Sequence, residues 1–116
     1  MTLYHVWFNL KAGVADLAFV AVLERYLDHL RGEGRIAGAR LTRRQLGLGP
    51  KDLPEFHLMI EVEGLAQLDD AFVHVSSRAE PVESLHHAVN SQVQDVTFAL
   101  YRDFPDPWRQ RGDERF

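Results

Sequence analysis

Hydrophobic and polar residues alternate along four segments of the chain, and this two-residue period is typical of half-buried β-strands. The clearest segment, Phe56–Val62, has four apolar residues on one face, whereas His57, Met59 and Glu61 share the other. The four strands are predicted over Tyr4–Leu10, Ala37–Leu46, Phe56–Val62 and Val96–Tyr101. Each has one strongly apolar face except the second, in which the contrast between faces is weak.

A period of three to four residues between the strands predicts helices. The first helix is expected from Val14 or Ala15 to Arg31, with an apolar stripe of Leu17, Val20, Leu23, Leu27 and Leu30. A second helix follows Gly64, and Pro81 is suited to be the first residue of a further helical segment. The order β-α-β-β-α-β predicts an α+β, ferredoxin-like fold, with helices on one side of a four-stranded antiparallel sheet. The first and third strands are expected to lie side by side and parallel at its centre.

Length and composition support one such domain. The 116 residues, 46% of them hydrophobic, are enough for a single core, and we expect a domain over residues 1–103 followed by an irregular tail over 104–116. There is no cysteine for a disulfide or a thiolate site, and a net charge of −4 disfavours nucleic acid as a partner. No apolar run is long enough for a membrane span and none resembles a secretory signal, so a soluble, cytoplasmic protein without a membrane partner is expected.

The face of the sheet that the helices leave open carries an unusual mixture of side chains. Trp7, Met59 and Tyr101 are too apolar to be left in water, whereas His5 and Asn9 are too polar for a dry core. Two sheets packed face to face about a two-fold axis would cover the apolar centre and enclose a cavity with polar walls. The pattern therefore predicts a homodimer.

Element order, face pattern and the stretches Arg40–Arg44, Phe56–Val62 and Leu85–Ser91 resemble an uncharacterised bacterial family of the dimeric α/β-barrel superfamily. The resemblance covers about residues 3–103 and implies pairing of two ferredoxin-like domains through their sheets. That superfamily includes cofactor-independent monooxygenases, haem-degrading enzymes, lactone isomerases and stress-induced proteins. Because its members share no single catalytic motif, the resemblance implies fold and dimer rather than one reaction.

His5 and His57 are the candidate catalytic residues, since they should share the open face on neighbouring strands and imidazole suits general base chemistry. Glu61 does not complete a metal site with His57, because four residues along a strand span roughly 13 Å. No metal and no cofactor are therefore expected. The candidate substrate-binding residues fall into two sets. An apolar wall is expected from Trp7, Met59 and Tyr101, and a polar substituent of the substrate is expected to be held by Asn9 and Arg40.

Other interpretations of single residues stay open. Haem-degrading relatives use an asparagine, a tryptophan and a histidine, but Trp7 and Asn9 should face away from any helical histidine. His86 and Asn90 are four residues apart and are candidates for a second cleft between helix and sheet, whereas His87 should face solvent.

The sequence thus predicts a homodimer that binds an unknown small molecule in a sheet-lined cavity. A cofactor-independent monooxygenase or isomerase acting on an apolar or aromatic organic compound is the leading hypothesis. The alternative is a non-catalytic regulatory or structural dimer. RNA recognition shares the element order, but the third strand lacks the exposed aromatic residues that stack on bases.

Overall fold

The computed structural model describes residues 1–113. Four strands and three helices follow one another as β1 (Thr2–Leu10), α1 (Asp16–Gly32), β2 (Gly38–Arg43), β3 (Phe56–Val62), α2 (Leu65–Ser76), α3 (Val82–Asn90) and β4 (Val93–Arg102). The strands form one antiparallel sheet in the order β2-β3-β1-β4. This confirms the predicted α+β, ferredoxin-like fold.

The predicted direction of the two central strands was wrong. β1 and β3 are neighbours, but they run antiparallel, with Tyr4 opposite Ile60 and Trp7 opposite His57. The connection through α1 returns the chain so that β2 has the direction of β1, and the reversal after β2 then turns β3 the other way. Adjacency in the sheet therefore does not imply equal direction here.

β4 begins three residues earlier than the alternating pattern predicted. Trp7 is opposite Thr97, whereas Asn9 is opposite Gln94, so β4 carries one residue more than β1 in this stretch. Asp95 lies in this bulge with φ of 56°. Because a bulge shifts the phase of the two-residue alternation, the first part of β4 is out of step with the rest and its pattern is hidden.

The core lies between the sheet and the three helices. It combines one face of β1 and β3 with the inner faces of the helices, and its members include Phe8, Phe19, Leu23, Leu27, Leu30, Phe56, Leu58, Ile60, Val62, Leu68 and Val82. The predicted stripe on α1 was wrong at its first position, because Leu17 is 79% exposed and Phe19 is buried instead. Two residues correspond to roughly 200° around a helix, so these side chains lie on opposite sides.

The chain beyond β4 contains no helix or strand up to residue 113. Asp106 is buried and accepts hydrogen bonds from Arg102 at the end of β4. The last three residues of the predicted tail, 114–116, lie outside the described residues. Among the helices of the described chain, none has the length and apolar character required to span a bilayer.

Removing a buried leucine from α1 should cost far more stability than removing an exposed one. For Leu30→Ala we expect a loss of about 2–5 kcal/mol, because Leu30 is 3% exposed and its removal leaves a cavity. Leu17→Ala is the matched control, with an expected change within about 0.5 kcal/mol. Urea unfolding at equal protein concentration measures both, and equal losses would contradict the assigned inner face of α1.

Candidate functional site

An aromatic cluster occupies the centre of the open sheet face, formed by His5, Trp7, His57 and Tyr101. The Trp7 and His57 rings stack with centroids 4.7 Å apart, and the His5 and His57 rings stack at 5.0 Å. Tyr101 meets His5 edge to face at 4.9 Å. The two-residue period of β1 and β3 and their register bring these side chains together, and β4 adds the tyrosine.

The two histidines of this cluster are directly hydrogen-bonded. His5 Nδ1 and His57 Nε2 are 2.7 Å apart, so the N–H of one ring donates a hydrogen bond to the bare nitrogen of the other. His5 Nε2 is buried and has no hydrogen-bond partner among the described residues. A bare ring nitrogen costs less to bury than an unpaired N–H, which favours the arrangement in which His5 Nδ1–H donates to His57. The remaining His5 nitrogen is then a buried hydrogen-bond acceptor without a partner among the described residues.

Both imidazoles are biased towards the neutral form. Burial lowers the pKa of His57, and the neighbouring His5 lowers it further by charge repulsion. Burial also lowers the pKa of His5. A neutral imidazole near pH 7 is the form that accepts a proton, so the pair has the protonation state that general base chemistry requires.

The other predicted binding residues differ in how closely they join this cluster. Met59 lies directly opposite His5, and Arg40 lies opposite Met59 at the sheet edge, where it is exposed and makes no ion pair with a described residue. Asn9 is set apart, because its side-chain oxygen accepts a hydrogen bond from the Glu55 backbone and its amide donates to Asp95. The Asn9 amide therefore fastens the β4 bulge and the start of β3.

A cavity of about 200 Å³ lies on the other side of the sheet, between the sheet and the helices. Most of its walls are aromatic or aliphatic, and they include Tyr4, Phe8, Phe19, Tyr26, Leu58, Phe72, Val89, Val96 and Phe98. Phe72 and Phe98 are about half exposed, so they mark the entrance, and each packs against the Tyr4 ring. The entrance is consequently apolar as well.

A few polar groups interrupt these apolar walls. Tyr26 of α1 and His86 of α3 face each other with ring centroids 5.6 Å apart, and Asn90 lies one turn after His86. Burial raises the pKa of Tyr26 to about 12, with the nearby Tyr4 adding to the effect, so its hydroxyl remains protonated and able to donate. No side-chain hydrogen bond to another described residue uses Tyr26 or His86.

The seven site residues predicted from the sequence do not line this cavity, because all of them lie on the open face. The second cleft proposed for α3 is present in the structure, where His86 and Asn90 line it and His87 is exposed. Trp7 and Asn9 lie across the sheet from His86, so they do not form a haem-type triad with it. Tyr26 was missed because an aromatic residue between apolar helix positions is indistinguishable from core in a sequence.

Comparison with solved structures gives the same fold at low sequence identity. SnoaB, a cofactor-independent oxygenase from Streptomyces nogalater, matches with a TM-score of 0.68 and 11% identity, over 93% of this chain and 97% of its own. The Arabidopsis thaliana protein At3g17210 matches with a TM-score of 0.72 and 9% identity, over 91% and 98%.

A dimeric ferredoxin-like protein of unknown function from Jannaschia sp. CCS1 matches with a TM-score of 0.63 and 12% identity, over 89% of this chain and all of its own. No curated protein matches the sequence. A family model, in contrast, matches the chain over residues 1–116. The chain therefore belongs to DUF6614, a family of unknown function.

Proposed function

We propose that this protein is a homodimer that binds a small aromatic or apolar organic molecule in the cavity between sheet and helices. The observation that carries this proposal is an aromatic cavity with an apolar entrance and a few unpaired polar groups on its wall. Pockets for small molecules have this composition, because burial of apolar surface supplies affinity and a few polar groups fix orientation.

The size of the cavity sets the size of the ligand. Cavities of roughly 150 Å³ lined by aliphatic and aromatic side chains accommodate benzene, so about 200 Å³ suits a single substituted ring. Phe8, Phe19 and Phe98 line the cavity, and aromatic rings of this kind make offset or edge-to-face contacts with a bound ring. A one-ring phenol or a related carbonyl compound is the ligand class that fits both volume and lining.

The polar groups of the cavity would orient the bound molecule and remove a proton from it. The protonated Tyr26 hydroxyl is a donor for a carbonyl or phenolic oxygen, and Asn90 offers both donor and acceptor. His86 has a ring nitrogen available to remove the proton from a phenolic hydroxyl. Ionised phenols are electron-rich, and oxygenation of such a compound without a cofactor is the reaction class that the likeness to SnoaB adds to this proposal.

Pairing of two chains through the open sheet face completes the proposal. The aromatic cluster is only partly shielded in one chain, and Tyr101 remains 59% exposed. A second sheet packed against it would remove this apolar area from water and close the dimeric α/β barrel. Three solved structures with a similar fold are described as dimeric, which supports a dimer for this chain.

A second candidate site lies between the two sheets of such a dimer. The unpartnered His5 nitrogen and the lowered pKa values of His5 and His57 favour proton transfer there, as the sequence suggested. Trp7, Met59 and Tyr101 would then form the apolar wall, and Arg40 would hold a polar substituent. Asn9 fits this role less well, because its amide already binds Glu55 and Asp95.

The cytoplasmic location and the absence of a cofactor stay predictions.

Filling the cavity should abolish binding of a one-ring ligand. We expect Val89→Phe to weaken binding of 4-nitrophenol at least about tenfold, because the new ring occupies the same space. Val73→Phe is the matched control, since Val73 is 61% exposed and does not line the cavity. Isothermal titration calorimetry measures both, and equal affinities would contradict the proposed site.

The same probe distinguishes the two candidate sites, because its phenolate absorbs visible light. The measurement is made at a pH at which the free probe is protonated. If His86 takes up the phenolic proton, the absorbance of bound phenolate then falls in His86→Gln and persists in His57→Gln. The reverse result would transfer the proposal to the sheet-lined site. Absence of any bound phenolate in the unaltered protein would favour the non-catalytic alternative.

Charge on the open face should dissociate the dimer, whereas charge on the other face should not. Tyr101 and Leu100 are adjacent on β4, are 59% and 53% exposed, and point to opposite faces of the sheet. We expect Tyr101→Glu to raise the dimer dissociation constant by about 100-fold or more, because it buries an unpaired charge. Sedimentation velocity measures the dimer dissociation constant, with Leu100→Glu as the matched control on the other face. Dissociation by Leu100→Glu alone, or a monomeric unaltered protein, would overturn the sheet-to-sheet arrangement.

Acid should destabilise the protein partly through the histidine pair. Because the native pKa values of His5 and His57 lie below the ordinary value of 6.5, the unfolded chain binds more protons just below that pH. Their contribution to stability is complete above pH 6.5 and is lost as the pH falls towards the lowered values. We expect His57→Gln to reduce the decrease in urea midpoint between pH 7 and pH 5, with His87→Gln as the exposed control. An unchanged decrease would show that the pair does not titrate this way.

A further inference from the structure

Three metal-ligating side chains converge on the helix layer, away from both candidate sites. His29 lies in the last turn of α1, Glu33 follows the end of that helix, and His74 lies in the last turn of α2. One ligand atom from each side chain lies within 4.8 Å of the other two. None of the three lines the cavity or belongs to the open sheet face.

The distances between these atoms match those around a tetrahedral ion. Zinc binds imidazole nitrogen at about 2.0–2.1 Å, so two nitrogens on a tetrahedral ion lie roughly 3.3–3.4 Å apart. His29 Nε2 and His74 Nε2 are 3.3 Å apart, and Glu33 Oε1 is 3.7 Å from His29 Nε2. The two histidine nitrogens are therefore already spaced as ligands, and the exposed Glu33 places its oxygen only slightly farther from His29.

The surroundings hold this arrangement in place and supply charge for a cation. Arg35 donates to Asp70 at 2.7 Å and approaches Glu33 Oε2 at 3.6 Å, which leaves Oε1 directed to His29. Asp70 lies one turn before His74 on α2, so Arg35 links the two helices that provide the ligands. The two carboxylates and one guanidinium add up to one negative charge beside the two imidazoles. The ion pair with Arg35 restricts the orientation of the Glu33 carboxylate, as groups around a metal site commonly do for its ligands.

A simple hydrogen bond explains the histidine pair less well. The separation of 3.3 Å exceeds the usual range for an N–H donor, whereas the His5–His57 pair in the same protein is 2.7 Å apart. The rings are inclined by only 23° with centroids 5.6 Å apart, so contact between the ring faces is also modest. Both Nε2 atoms are instead placed to share one additional partner together with the Glu33 carboxylate.

We propose that His29, Glu33 and His74 bind one divalent transition-metal ion of the zinc type, which joins the ends of α1 and α2. Two imidazoles and one carboxylate are ligands that Zn²⁺ accepts readily, and the fourth position is open to water. Mg²⁺ prefers oxygen ligands and should not bind. The expectation of no metal was based only on the open sheet face, where Glu61 is too far from the histidines. This site does not depend on the proposed function.

Metal titration of the chelator-treated protein provides the test. We expect calorimetry to give one bound Zn²⁺ per chain. Zn²⁺ should raise the melting temperature, and Mg²⁺ should leave it unchanged. Co²⁺ should give the visible absorption of a tetrahedral ion. His74→Ala should weaken Zn²⁺ binding by at least about 100-fold and abolish the Co²⁺ band, because it removes one of three ligands. His87→Ala, which alters an exposed histidine outside the cluster, should retain both.

A second variant, Glu33→Gln, keeps the test valid if His74→Ala does not fold. Glu33 is 43% exposed at a helix end, so Glu33→Gln should leave the fold intact by circular dichroism while it lowers Zn²⁺ affinity by about tenfold or more. Failure of the unaltered protein to bind Zn²⁺ at one equivalent would overturn the proposal. Equal affinities in the unaltered protein, His74→Ala and Glu33→Gln would also overturn it, since the ion would then be held elsewhere.

Discussion

The structure depends on one constraint, which is that a single layer of helices covers only one face of a four-stranded sheet. Side chains alternate between the two faces, so Phe8, Leu58 and Val62 are buried under the helices while their neighbours Trp7, His57 and Glu61 face the other way. Burial of the first set stabilises the chain as a monomer. The second set is left for a partner, a ligand or water to cover.

The two faces of the sheet differ in chemistry. The helices bury most of the apolar residues on their face of the sheet. They leave an aromatic cavity near β4, where His86, Asn90 and Tyr26 supply polar groups. The open side gathers a stacked aromatic cluster around two hydrogen-bonded histidines. The sheet therefore separates an apolar cavity from a partly exposed aromatic surface.

Prediction of the fold succeeded where the determining interactions are local. The alternation in β3 identified the strand with its observed bounds, and the order of elements identified the ferredoxin-like fold, although it did not give the antiparallel direction of β1 and β3. It failed where the signal is not local. The bulge at Asp95 shifted the phase of β4, and the stripe on α1 was assigned to Leu17 because seven successive apolar residues leave the inner face undefined.

Which residues share a face of the sheet follows from the amino-acid sequence alone, because strands have a two-residue period. For this reason the alternation alone groups His5, Trp7, His57 and Tyr101 on one side of the sheet. The position of the cavity on the other face is visible only in the folded chain, because a cavity is space left by the packing of distant side chains. The approach of His74 to His29 and Glu33 is likewise visible only there, since no local pattern encodes how the ends of α1 and α2 come together.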